Sequence, residues 1–184
     1  MMRLHQRGFG LVEVAVSLLV LSVATLGLGR LQIAASQLGH QAMQRTIAAA
    51  LAQDLFERLR LNRTALPDSG LTVIVQTGVP RVLPPAIDCD TQRCSASRRR
   101  DWDLWQWQMG LNGASSGGGE GGLMEPTACV VVTGRRVTLE VTWRGVRSAS
   151  MPARPSLCGA GIGAADTPGR PRLQMSSWVG EAHS

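Results

Sequence analysis

The sequence predicts an α+β chain in which one long N-terminal helix precedes a small antiparallel sheet. Two observations carry this expectation. A mostly apolar run from Phe9 to Arg30 continues without a break into an amphipathic helical pattern, and short strand-like runs follow, two of them joined through a glycine. Length agrees, because 184 residues hold one domain plus an appendage and hardly two full domains.

Residues 1–8, MMRLHQRG, are short and mostly polar, and their Arg3 and Arg7 precede the apolar run. A positive patch in that position keeps its end of a membrane span in the cytoplasm. Residues 9–29 form the hydrophobic segment. Residues 30–62 continue it as an amphipathic helix, with Ala48, Leu51, Leu55 and Leu59 on one stripe. Asp54 and Arg58 are spaced to pair on the solvated side. Asn62 is the expected cap, and Pro67 forbids much further helix. One helix from Phe9 to about Asn62 would be roughly 80 Å long at 1.5 Å per residue. Gly27 and Gly29 weaken it by up to about 1 kcal/mol each, which makes that point the expected place for a bend or a melted turn.

Residues 63–184 read as a globular sheet domain. LTVIVQ (71–76) is a first short strand, and the proline- and cysteine-bearing stretch 78–100 is loop-like. DWDLWQWQMGL (101–111) favours a short helix, with Trp102, Trp105 and Met109 on one side; strand alternation is the competing reading. GASSGGGEGG (113–122) is a flexible loop by composition. Strands at 128–133 and 137–143 join as a hairpin through Gly134-Arg135-Arg136. Coil runs from 147 to 171, and a weak last strand spans 173–179.

Composition narrows the function classes. An apolar fraction of 44% excludes wholesale disorder. All 19 basic side chains are arginines, set against 13 acids, a balance that could suit nucleic acid or an anionic membrane surface. They are scattered, however, and the total is modest. Three histidines leave little for acid–base or metal work, and neither His40 nor His183 has an evident Ser or Cys partner. GGGEGG lacks the Gly-Lys-Ser/Thr and the strand-to-helix context of a phosphate loop. The chain is therefore expected to be no enzyme and to need no cofactor or metal.

Glu13 is the residue that bulk properties do not explain. A carboxylate at the centre of a membrane span costs roughly 2.5–3.5 kcal/mol on insertion scales, less near an end, and intramembrane charges usually mark function. The competing plain readings are a membrane anchor whose Glu13 snorkels to the interface, or an uncleaved signal peptide. Gly8-Phe9, Glu13 at the fifth position counted from Phe9, and about twenty mostly apolar residues together resemble the class III signal of type IV pilins and pseudopilins. The resemblance implies the type IV pilin fold, and cleavage between Gly8 and Phe9 by prepilin peptidase from the cytoplasmic side. It also implies methylation of the new N-terminus at Phe9, and an assembly role for Glu13. The implied partners are the inner membrane, the peptidase and other pilins, with the C-terminal domain in the periplasm before incorporation at the cell surface. Physical logic agrees. An ammonium on a neighbouring subunit's first residue can neutralise Glu13 in a dry core, where the attraction is strongest.

A second, less specific resemblance covers the rest. Asp103, Leu104, Trp107, Cys129, Thr142, Trp143 and Arg144 match the pattern of the pilus modification protein (PilV-like) branch of minor pilins. Arg30 stands where major pilins often carry a kink-forming proline, which favours a minor component. A minor pseudopilin of a type II secretion system is the runner-up. Loss of the leader would leave 17 arginines against the same 13 acids, and no nucleic-acid partner is expected.

Four cysteines behind a membrane-targeting start suggest an oxidising compartment. Cys89–Cys94 with Cys129–Cys158 is one of three connectivities, and the second bridge would contribute about 3–4 kcal/mol in the entropy model. A four-thiolate zinc site lacks paired C-x2-C knuckles, and free buried thiols are the third alternative. Arg98-Arg99-Arg100 beside Trp102 and Trp105 reads as a solvated helix start with core tryptophans, against a single-strand nucleic-acid patch.

Overall fold

A computed structural model of the chain describes residues 10–66, 71–75, 83–113, 122–146, 155–157 and 168–180. The first element, α1, is a helix over Leu11–Leu61. It runs helical through Gly27 and Gly29, so the expected melted turn does not form. A Cβ at either glycine would meet nothing within 4 Å. Their conformational cost is thus spread over a helix long enough to absorb it. After α1 comes a 3-10 turn at Arg63–Ala65. Asn62 marks the junction and donates its side-chain amide to the Ala96 carbonyl at 2.7 Å.

The other elements are strand β1 (Leu71–Val75), helix α2 (Ala96–Leu111) and strands β2 (Thr127–Thr133), β3 (Arg136–Thr142) and β4 (Arg172–Trp178). The strands form an antiparallel sheet in the order β1-β2-β3-β4. This is the expected α+β arrangement, with a long N-terminal helix whose later part packs on a small antiparallel sheet. The chain divides into two compact units between His40 and Gln41.

In the second unit, Ala48, Ala52, Leu55, Phe56 and Leu59 of α1 join Leu104, Trp107 and Leu111 of α2 and the inner sheet face in one core. That sheet face follows from the period of two along a strand. Register pairs Ala128 with Val141, Val130 with Leu139 and Val132 with Val137, and all six side chains are buried. A one-residue slip would turn all of one strand's core side chains outward, so the apolar alternation fixes the pairing. The β2–β3 turn consists of Gly134 and Arg135 alone, since Thr133 already pairs with Arg136. Gly134 has φ +57°, the left-handed value wanted at the first position of a tight hairpin turn.

α2 differs from expectation in two ways. It begins at Ala96, five residues before the predicted start, so 96–100 are helix and not loop. Trp102 is buried as expected, but the stripe that joins the core is Leu104, Trp107 and Leu111, while Trp105 and Met109 are only half-buried. Steps of three and four put those three on one face. The Trp107 indole N–H also donates to the Leu51 carbonyl of α1 at 2.9 Å, which locks that face onto α1. Trp105 lies against Trp102 instead, with ring centroids 4.9 Å apart.

The ends of the glycine-rich loop meet. Leu123 donates its amide to the Leu111 carbonyl at 2.9 Å, and a Cβ on Gly122 would lie 2.1 Å from the Gly113 nitrogen. Only glycine fits there. The loop between them, 114–121, and most of the predicted coil at 147–171 lie outside the described residues.

Candidate functional site

The segment singled out by sequence is the start of α1. Helical bonding opens at the Gly10 carbonyl, which accepts from the amides of Glu13 at 3.0 Å and Val14 at 3.3 Å. Glu13 therefore sits in the first turn. A carboxylate there faces the positive end of the helix dipole, typically worth 0.3–1 kcal/mol. The other polar side chains nearby are satisfied within the helix. Ser17 donates to the Glu13 carbonyl at 2.7 Å, Ser22 to those of Leu18 and Leu19, and Thr25 to that of Ser22. Such back-bonding lets hydroxyls enter lipid with no orphaned donor. Among the described residues, the Glu13 carboxylate has neither a hydrogen bond nor an ion pair. Around it, Leu11, Val12, Val16, Leu19 and Val20 are exposed, as are the large apolar residues on to Leu38. α1 is long and apolar enough to cross a membrane. Gly8 and Phe9, the expected cleavage and methylation positions, lie outside the described residues.

In the head, Cys89 and Cys94 form a disulfide with Cα atoms 5.6 Å apart. Cys129 on β2 is buried and also disulfide-bonded. Cys158, its expected partner, lies outside the described residues. Sulfurs in disulfides are not thiolate ligands, so a zinc site built on Cys89, Cys94 and Cys129 is excluded.

The Cys89–Cys94 loop is tied to both helices through a charged network that sequence reading saw only in part. The expected Asp54–Arg58 pair forms, at 2.8 Å. Arg58 also donates to Gln106 Oε1 at 2.8 Å, and Gln106 donates to Asp90 Oδ2 at 2.7 Å. Buried Asp103 lies 3.2 Å from Arg99 and 3.8 Å from Arg58. Arg99 donates to the Cys89 carbonyl at 2.8 Å. Burial raises the Asp103 carboxyl above its ordinary value, opposed by the charges of Arg99 and Arg58. The i, i+4 spacing of Arg99 and Asp103 was a usable signal, hidden by reading 96–100 as loop.

Arg100 is likewise engaged, with Asp101 at 2.9 Å and the Ala65 carbonyl at 2.7 Å. The three arginines do lie at a helix start, with Arg98 exposed as expected, but Arg99 and Arg100 are half-buried and structurally engaged. These two hold α2 to the disulfide loop and to the 3-10 turn.

Glu140, which no sequence pattern marked, is buried on the opposite sheet face from the core. It accepts hydrogen bonds from the Ser156 hydroxyl and, at 3.2 Å, from the Leu157 amide. Arg172 lies 3.7 Å from it and donates to the Pro155 carbonyl at 3.2 Å. These contacts pin residues 155–157 to the sheet, close to Cys129, the cross-strand partner of Glu140. A buried acid persists only with such partners.

Residues 3–29 match the family model described as the prokaryotic N-terminal methylation motif. The matched stretch contains Gly8, Phe9 and Glu13. This match supports a type IV pilin-like prepilin, a pilin or pseudopilin substrate of prepilin peptidase that associates with pilus components. With the apolar helix it fits inner-membrane anchoring. No curated protein and no solved structure gives a significant match to the chain.

Proposed function

We propose that the chain is a minor type IV pilin, incorporated into a pilus or priming its assembly, with a structural and not an enzymatic role. It inserts with its N-terminus in the cytoplasm and its head in the periplasm. Prepilin peptidase cuts between Gly8 and Phe9 and methylates Phe9. The observation that carries this reading is the unpartnered Glu13 in the first turn of an exposed apolar helix, inside the matched methylation motif. Such a carboxylate is a standing penalty in lipid that a neighbouring subunit's terminal ammonium relieves, which couples register to charge pairing.

The residues shared with the PilV-like pattern support that branch over a minor pseudopilin. They build the head itself: Leu104, Trp107 and Trp143 fill its core, and Thr142 donates to the Thr127 carbonyl at 3.4 Å. Arg144 pairs with Glu125 at 3.3 Å. A DNA-capturing head loses its sequence-level support at Arg98–Arg100, because Arg99 and Arg100 are held internally.

Glu13→Ala is expected to insert and be cleaved normally, yet to be missing from sheared filaments. Incorporation at native levels would overturn the role of Glu13. Mass spectrometry of the membrane-extracted native protein should show an N-methylated Phe9 as first residue and two disulfides. A chain still beginning at Met1 would end the reading.

A further inference from the structure

At one end of the sheet, a cleft of about 250 Å³ opens between the 3-10 turn and the β2–β3 hairpin. Arg63, Thr64, Leu66, Gly134 and Arg135 line it, with no acidic side chain among them. The arginines around it are in two conditions. Arg60 is committed to Glu57, to Ser177 Oγ at 2.6 Å and to the Trp178 carbonyl. Arg136 is committed to the exposed Trp178 ring, 5.1 Å from its centroid. Arg63 and Arg135 differ. Among the described residues, neither guanidinium has a hydrogen bond or an ion pair.

Backbone position puts both residues at the cleft. Arg63 is fixed by the 3-10 turn that ends α1, which Arg100 clamps through the Ala65 carbonyl. Arg135 is fixed by the two-residue turn, whose carbonyl accepts the Val179 amide at 2.9 Å. Its side chain also passes close over Gly180, where a Cβ would lie 3.1 Å from Arg135 Cδ. Gly180 has φ +146°, and the absence of a side chain there leaves room for the arginine.

Two like charges at one cleft repel, and among the described residues that line it there is no carboxylate to offset them. Arg63, Arg135 and Thr64 all line the cleft, so it has two planar donor forks and a hydroxyl to draw on. That donor set suits a tetrahedral oxyanion. Volume narrows the ligand. A water occupies about 30 Å³ and pockets for drug-sized molecules run from about 300 Å³, so the cleft takes one phosphate with a small substituent and not a whole large ligand. Independently of the assembly role proposed above, we infer that the Arg63–Arg135 cleft binds a phosphate group, as a free phosphate compound or as one phosphodiester unit of a polymer.

The test uses the full-length protein in nonionic detergent, titrated with pyrophosphate by calorimetry. Sodium succinate at matched ionic strength serves as the carboxylate comparison, and a twelve-residue oligothymidylate as the polymer. Arg63→Gln and Arg135→Gln are each expected to raise the pyrophosphate dissociation constant at least about tenfold. Arg98→Gln, which removes the same charge from an exposed site elsewhere, should change it less than about twofold. Arg135→Lys should recover only part of the loss, because it keeps charge but not the fork. Tighter binding of the oligonucleotide, lost with the same two variants, assigns the phosphate to a polymer; pyrophosphate binding without it assigns a free phosphate compound. Equal weakening by all three glutamine variants, succinate binding as tight as pyrophosphate, or no binding at all would overturn the site.

Discussion

The Asp103 carboxylate on α2 meets Arg58 of α1 and Arg99, which in turn reaches the disulfide loop, and its energetics can be tested by pH. Burial raises its carboxyl above the ordinary value even though Arg99 and Arg58 pull it down. A carboxyl whose pKa rises on folding binds its proton more tightly in the folded chain. Its stabilising contribution is then fully present below the unfolded value, near about 3.9, and is lost as pH rises through the raised folded value. Asp103→Asn has no such proton to lose. Thermal unfolding of both proteins between about pH 3 and pH 6 should therefore show the variant gaining on the native chain as pH rises. A difference that moves the other way would mean the ion pairs outweigh desolvation. Asp103 entered the sequence reading only as part of a family pattern. Its burial was not legible, because it depends on which face of α2 meets α1, a tertiary fact. Glu140 was hidden for a related reason: its partners, Ser156, the Leu157 amide and Arg172, lie 16 or more positions away.

Among the elements, the hairpin and the long helix were readable because local rules decide them. Period-two alternation on both sides of Gly134 fixes β2 and β3 to within a residue of their expected bounds. The stripe Ala48, Leu51, Leu55 and Leu59 does the same for the later part of α1, where three of the four are buried and Leu51 packs against the core. In α2, by contrast, tryptophans at 102, 105 and 107 and a leucine at 104 write two apolar stripes at once. The Trp107–Leu51 hydrogen bond selects between them. What precedes α2 is held by chemistry and not by periodicity. The Cys89–Cys94 bridge sets the loop whose Asp90 side chain and Cys89 carbonyl receive Gln106 and Arg99. In the loop-entropy model a ring this small contributes about 2 kcal/mol. The double substitution Cys89→Ser, Cys94→Ser should lower the free energy of unfolding by about that amount, read by urea denaturation. It should leave far-ultraviolet helix content unchanged, since α2 keeps its core stripe. No change in stability would mean that the charged network fixes the loop without the bridge.

At the scale of the molecule, apolar surface is used in two different ways. From Leu11 to Leu38 the large apolar side chains are exposed, while Ala48, Ala52, Leu55, Phe56 and Leu59 are collected into one core with α2 and the sheet. The sequence carried this division in its pattern: apolar all round first, then striped on one face. It did not say where the change of use falls, because Arg30, the first charge after Glu13, precedes the first core residue by many positions. The division at His40 and Gln41 supplies that boundary. Every core residue, including partly buried Ile47, lies on the C-terminal side of it. A fragment spanning Gln41–Ser184, exported to an oxidising compartment, is therefore expected to fold without the apolar segment. It should be soluble and form its disulfides, and its α1 remnant should fray only at the new N-terminus, before Ile47. Its unfolding free energy should lie within about 1 kcal/mol of that of the full chain in detergent, since no buried side chain is removed. The near-ultraviolet signal of Trp107 and Trp143, both buried in the core, is the readout to follow. A fragment with no cooperative loss of that signal on heating would show that residues before Gln41 support the head, and the boundary drawn from packing would be wrong.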